Sequence, residues 1–90
     1  LQDDLDSVPK ALPALMRAAK LQKRAARAGV TVETTPAELE TLAGQVAAGE
    51  NAEAALGELL FKAAALARQA GLDPEQALQK ANAAFTAAPH

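Results

Sequence analysis

Alanine and leucine dominate this chain: 25 of its 90 residues are Ala and 13 are Leu. Both are among the strongest helix formers, because Ala loses no side-chain entropy in a helix and Leu loses little. A chain of this length is expected to form one small domain. The sequence therefore predicts an all-α domain over residues 8–90, preceded by a flexible acidic lead-in at residues 1–7.

Other features of the composition exclude several classes of function. The chain has no Cys, and its one His is the last residue, which leaves no thiolate zinc site and no Ser-His-Asp triad. The formal net charge is −2 and there is no Trp or Tyr, so general nucleic-acid binding is not expected. No apolar run reaches the roughly 20 residues of a membrane span. We therefore expect a cytoplasmic protein that binds neither membrane nor nucleic acid.

The charged residues are segregated along the chain. Those between positions 8 and 30 are all basic, and those between 31 and 58 are all acidic. Two interpretations stay open. The two charged faces keep the domain in solution, or they form the walls of a polar cleft that would suit a metal–phosphate ligand.

Turn and cap signals divide the domain into four predicted helices. The first is expected to begin near Pro9 or Pro13 and to end at Gly29, and the others cover approximately residues 35–49, 51–71 and 73–86. Thr35-Pro36-Ala37-Glu38 has the pattern of a capping box, with Thr35 as the cap and Glu38 folding back, and Asp73-Pro74 begins the last helix in the same way. Asn51 is expected to cap the third helix. Because the loops are short, sequential helices are expected to pack as antiparallel neighbours.

The first predicted helix carries two apolar stripes, which indicates that it packs on two sides. Leu12, Leu15, Met16 and Ala19 form one stripe, and a second, Ala-rich stripe lies beside it. Alanine faces bury little apolar area and therefore stabilise weakly. We expect a four-helix domain that gains part of its stability by forming a homodimer.

Three stretches of the chain resemble, in order, the second domain of the MazG family of nucleoside triphosphate pyrophosphohydrolases. Residues 8–26 resemble the opening helix of that domain. Leu56-Gly57-Glu58-Leu59-Leu60-Phe61 followed by Leu66-Ala67-Arg68 resembles its LGDLLF…LAR helix, and residues 71–85 resemble its closing GxDPExALxKANxxF segment. The resemblance implies an all-α homodimer that uses Mg²⁺ to hydrolyse nucleoside triphosphates to monophosphates and pyrophosphate.

The same resemblance implies the site residues. The family holds magnesium with the carboxylates of an EExxE helix and an ExxD helix, since hard oxygen ligands suit this ion. In this chain the two motifs read Ala37-Glu38-Leu39-Glu40-Thr41 and Ala55-Leu56-Gly57-Glu58. Only Glu38 and Glu58 therefore remain as implied magnesium ligands. The implied contacts to phosphate or base are Lys23, Arg24, Lys80 and Asn82.

Most of the implied site residues also have a structural interpretation, although Asn82, a poor helix former inside a helix, is expected to bond a partner helix or a ligand. Glu38 stands at the capping-box position, Glu58 precedes Lys62 by one helical turn as in an ordinary ion pair, and the lysines are typical of a solvated face. Two hypotheses follow: a weakly active nucleoside triphosphate pyrophosphohydrolase domain, or a catalytically silent helical dimerisation domain that scaffolds a larger MazG protein. The missing acids favour the second, and the preserved helices fit both.

Overall fold

The computed structural model describes all 90 residues as five helices with no strand. The helices are α1 (Gln2–Asp6), α2 (Ala14–Arg27), α3 (Pro36–Ala48), α4 (Ala52–Gln69) and α5 (Pro74–Ala87). The predicted all-α fold is confirmed, and the four predicted helices are α2 to α5. The short helix α1 was not predicted and lies inside the acidic lead-in, whose flexibility stays a prediction. None of the helices has the combination of length and apolarity needed to cross a membrane.

The helix ends follow most of the cap signals. Thr35 Oγ1 accepts a hydrogen bond from the Glu38 backbone N–H at 3.2 Å, and Asp73 Oδ1 accepts one from Gln76 N–H at 3.1 Å. Gly49 ends α3 with a φ of 74°, a left-handed conformation that glycine adopts without steric cost. Asn51 does stand at the N-cap of α4, but its side chain makes no cap hydrogen bond, because its own backbone is left-handed.

Helix α4 is the centre of the fold. It packs most extensively on α3 and also contacts α2 and α5, whereas α1 contacts α2 alone. The side chains that α4 buries are small: Ala55, Ala64 and Ala65. Only eight of the 90 residues are buried, and the molecule measures 46 × 32 × 24 Å. Much of the apolar surface therefore lies outside the core.

Helices α2 and α3 do not pack against each other, so the prediction that all sequential helices are neighbours is wrong at this point. Residues 30–35, which join the two helices, contain no helix or strand. Six residues of extended chain span about 20 Å. This connection runs beside α4 and is hydrogen-bonded to it, which places α2 and α3 on different faces of the central helix.

Candidate functional site

Two side chains near the end of α4 hold the connection between α2 and α3. The Gln69 amide accepts a hydrogen bond from Thr34 N–H at 2.8 Å and donates one to Thr34 C=O at 3.1 Å. The Arg68 guanidinium donates to the carbonyl of Val32. Thr34 is buried, so its backbone groups depend mainly on these protein partners for their hydrogen bonds.

Lys62, two turns earlier on α4, links the same connection to α3. Its Nζ lies 2.8 Å from Glu38 Oε1 and donates a hydrogen bond to the Glu33 carbonyl at 3.2 Å. The other carboxylate oxygen of Glu38 accepts from Thr34 Oγ1 at 3.3 Å. Both oxygens of Glu38 are therefore engaged by groups of the protein itself.

The ion pair shifts the pKa values of both partners. The hydrogen bond from Lys62 lowers the pKa of Glu38 below its ordinary value of 4.5, and the same bond raises the pKa of Lys62 above 10.5. Glu58, one turn before Lys62 on the same helix, adds a smaller attraction that also raises the Lys62 pKa. The Lys62 ammonium group is thus attracted by Glu38 and Glu58, the two acids that the family resemblance implies as magnesium ligands.

Two local predictions need correction here. Lys62 forms its ion pair with Glu38 of α3 and not with Glu58 on its own helix, because Glu38 comes within direct hydrogen-bond distance across the α3–α4 interface. The Glu38 carboxylate does not fold back onto the N–H of Thr35 as in a complete capping box. It is instead directed to Thr34 Oγ1 and Lys62.

The residues present do not fit a magnesium site. Magnesium demands a near-octahedral set of oxygen ligands at about 2.1 Å. Glu38 is already engaged on both oxygens, and no three acidic or histidine side chains lie close enough to hold a metal ion together. Position 55, where the resemblance places a further acid, is an alanine that is only 5% exposed. The assignment of Glu38 and Glu58 as metal ligands therefore rests on the resemblance alone.

Arg24, one of the predicted contacts to phosphate or base, has a structural role in this fold. Arg24 Nη1 donates to the Asp4 carbonyl at 3.2 Å and to Ser7 Oγ. This guanidinium therefore fastens α1 to α2. Arg24, in the last turn of α2, thus has a structural partner, which the sequence did not indicate because α1 was not predicted.

The other predicted substrate contacts lie on separate parts of the surface. Lys23 borders an open hollow of ≈450 Å³ between α2 and the start of α5, together with Lys20 and Asp73. Lys80 and Asn82 are exposed on α5. No hydrogen bond joins any of these residues to one another, so the structure does not assemble them into one site. Their roles stay predictions.

Sequence reasoning missed the structural roles of two glutamines, Gln22 on α2 and Gln69 on α4. Gln22 is 1% exposed, and its amide donates to the Phe61 carbonyl at 3.0 Å. The available signal is its spacing: Gln22 follows Ala18 by four residues and precedes the buried Ala25 by three, so it continues an apolar stripe. Gln69 also follows a buried alanine, Ala65, by four residues, but it is itself exposed and acts through its hydrogen bonds to Thr34.

A second hollow, of ≈400 Å³ and almost entirely apolar, opens between α2, α4 and α5. Leu60 and Leu78 line it and are 50% and 44% exposed, respectively. Helix α5 contains no buried residue. The exposed apolar side chains of α4 and α5 at this hollow thus form a candidate contact surface.

No family model matches the chain. The nucleoside triphosphate pyrophosphohydrolases of Escherichia coli strains K12 and O157:H7 are each 40% identical to it over 92 residues. These alignments cover 90% of this chain but only 35% of each relative, so the chain spans about a third of the relatives' length. Over nine-tenths of its length the chain is therefore similar to two proteins named nucleoside triphosphate pyrophosphohydrolase, in agreement with the expectation from its three resembling stretches.

Proposed function

We propose that this chain is a domain of a nucleoside triphosphate pyrophosphohydrolase. The observation that carries this proposal is the 40% identity to the E. coli enzymes of that name over 90% of the chain. The all-helical fold supports it, since the three resembling stretches fall largely on α2, α4 and α5. The proposed substrates are nucleoside triphosphates, and the proposed products are nucleoside monophosphate and pyrophosphate.

The reaction needs positive charge around the triphosphate. Water attacks the α-phosphorus, the bond from that phosphorus to the bridging oxygen breaks, and pyrophosphate leaves with the electron pair. Basic side chains stabilise the phosphate oxygens during this step. Lys23, beside Lys20 at the hollow between α2 and α5, is exposed and available for this role. Arg24 already uses its Nη1 for hydrogen bonds to Asp4 and Ser7, so a contact to phosphate would share the guanidinium with that structural role.

Magnesium is the cofactor that the family relationship implies for such a reaction. Because Glu38 and Glu58 do not fit a magnesium site, we assign them no step. Lys80 and Asn82 on α5 are retained as proposed contacts to phosphate or base, supported by their place in the segment that resembles the family's KAN sequence. A cytoplasmic location belongs to the same proposal, since nucleoside triphosphates are cytoplasmic metabolites.

The exposed apolar surface of α4 and α5 supports a homodimer as the working form. Leu60, Leu78 and Phe85 are 50%, 44% and 71% exposed. Burying a Leu or Phe side chain is worth about 1.5–3 kcal/mol, so a partner that covered several of them would stabilise a domain with so small a core. A second copy of the chain offers an apolar surface of matching character.

The activity is tested by incubating the purified chain with each common nucleoside triphosphate, with and without MgCl₂, and separating the products by anion-exchange chromatography. We expect equimolar monophosphate and pyrophosphate, with a lower rate for Lys23→Ala than for Lys10→Ala. Formation of diphosphate and inorganic phosphate, or the absence of products from every substrate, would contradict an active domain.

A catalytically silent dimerisation domain is the second candidate, and the Glu38–Lys62 ion pair favours it. This candidate predicts no product with any nucleoside triphosphate and no heat of binding for a non-hydrolysable analogue in calorimetry. It still predicts a dimer in sedimentation equilibrium. Product formation by the purified chain at a rate that Lys23→Ala lowers would eliminate it.

A further inference from the structure

We propose that Lys62 is a built-in counter-ion that takes the place of a divalent cation beside Glu38 and Glu58, so that these two acids do not bind magnesium. Lys62 is assigned this role from its own contacts. The contacts of Lys62 do not depend on the proposed function. The expectation of a metal beside these two acids does rest on the proposed function, because it comes from the family resemblance. With this lysine counter-ion the chain stabilises its α3–α4 interface without a metal ion.

The position of the Lys62 ammonium is set by two acceptors on different segments. It binds Glu38 Oε1 at 2.8 Å on α3 and the Glu33 carbonyl at 3.2 Å on the connection before α3. The Lys62 side chain is 21% exposed, so most of its length is packed along the protein. The ammonium is therefore held at the carboxylate and does not extend freely into solvent.

A divalent cation at Glu38 would compete directly with this ammonium. It would need the oxygen that Lys62 occupies, and it would place two further positive charges beside a lysine that is anchored to a backbone carbonyl. Like charges at such short separation repel strongly near a protein surface. The negative charge of Glu58 would not by itself offset the repulsion between the cation and the Lys62 ammonium, because it already attracts that ammonium.

The Glu38–Lys62 ion pair also connects α3 to α4, as a metal ion would at this interface. A metal bound by carboxylates from α3 and α4 would connect the two helices. Here a side chain of α4 reaches the carboxylate on the first turn of α3. The buried Ala55, in the first turns of α4, leaves no third carboxylate on that side.

The test is a titration of the untagged full chain with Mn²⁺, read as the electron paramagnetic resonance signal of free Mn²⁺, in parallel with Lys62→Gln and Lys10→Gln. Both substitutions remove one positive charge, and Lys10 is an exposed residue far from Glu38 in sequence. We expect no saturable binding by the natural chain or by Lys10→Gln, and a gain of binding by Lys62→Gln that a further Glu38→Gln change removes.

Saturable Mn²⁺ binding by the natural chain that Glu38→Gln abolishes would overturn the proposal, and this arm does not depend on the folding of a lysine variant. Equal behaviour of Lys62→Gln and Lys10→Gln, with both folded by circular dichroism, would overturn it as well. If Lys62→Gln does not fold, Lys62→Arg keeps the charge and should bind no Mn²⁺; binding by that variant would count against the proposal. The Mn²⁺ titration measures metal binding and does not depend on turnover. Failure of this proposal is therefore distinguishable from failure of the proposed activity.

Discussion

At the residue scale, the side chains that matter most are those that satisfy buried backbone groups. Thr34 is 6% exposed, and the Gln69 amide binds both its N–H and its C=O. A buried polar group that loses its partner costs about 1–3 kcal/mol. One glutamine on α4 therefore contributes to the placement of the whole connection between α2 and α3.

We predict that Gln69→Ala lowers the free energy of unfolding by about 1–3 kcal/mol, because the Thr34 backbone loses two hydrogen bonds in a buried place. Urea denaturation followed by circular dichroism measures the loss. Gln79→Ala is the matched control, since Gln79 lies on an exposed helix face and bonds only to Glu75 four residues away. Equal stability of the two variants would show that the connection is not held by Gln69.

The Glu38–Lys62 pair predicts a specific dependence of stability on pH. Because the folded-state pKa of Glu38 is lowered, its contribution is present above the ordinary pKa of 4.5 and is lost as the pH falls through the folded value. Because the pKa of Lys62 is raised, its contribution is present below 10.5 and is lost only as the pH rises above that value.

The natural chain should therefore be more stable than Glu38→Gln at neutral pH, and this advantage should shrink on acidification below pH 4.5. Thermal unfolding of both proteins across this range checks the prediction. Glu40→Gln is the control, since Glu40 is exposed on the same helix and makes no ion pair. An advantage that stays constant into acid would mean that Glu38 is not charged and paired in the folded state.

At the scale of single elements, the start of α3 depends on one hydroxyl group. Thr35→Ala should cost about 1 kcal/mol of stability, the usual effect of losing an N-cap side chain. Thr41→Ala is the matched control on the same helix: Thr41 is exposed and its hydroxyl donates back to the Ala37 carbonyl, so its loss should be nearly neutral or slightly stabilising. Urea denaturation compares the two, and a larger loss for Thr41→Ala would contradict this account of the helix start.

Helix identity and helix ends were predictable because their causes are local. The Thr35 and Asp73 caps and the left-handed Gly49 lie within a few residues of the ends that they define. The route of the connection was not predictable, since residues 30–35 carry no signal for the α4 side chains that bind them. The partner of Lys62 was mispredicted for the same reason: spacing suggests Glu58 on the same helix, whereas packing brings Glu38 within 2.8 Å.

At the scale of the whole molecule, the dominant feature is how little of the chain is buried. Eight of 90 residues are buried, while large apolar side chains on α4 and α5 stay outside. The high alanine content explains both facts, because close helix packing through Ala64 and Ala65 buries little apolar area. Association with a second copy is the proposed source of the missing stability.

We predict that Leu60→Asp shifts the chain from dimer to monomer in sedimentation equilibrium, because it places a charge in the apolar surface between α2, α4 and α5. Val30→Asp is the control: Val30 is 48% exposed, close to the 50% of Leu60, but lies on the connection before α3. Dissociation by both substitutions, or a dimer that Leu60→Asp leaves intact, would place the interface elsewhere.

The central claim, that Lys62 rather than a metal ion neutralises Glu38, is tested most directly by a double-mutant cycle. The free energies of unfolding of the natural chain, Glu38→Gln, Lys62→Gln and the double variant are measured in urea at neutral pH, with and without MgCl₂ at matched ionic strength. We predict a favourable coupling between the two side chains that is the same in both conditions. Additive effects of the two substitutions, or a coupling that magnesium abolishes, would contradict the account.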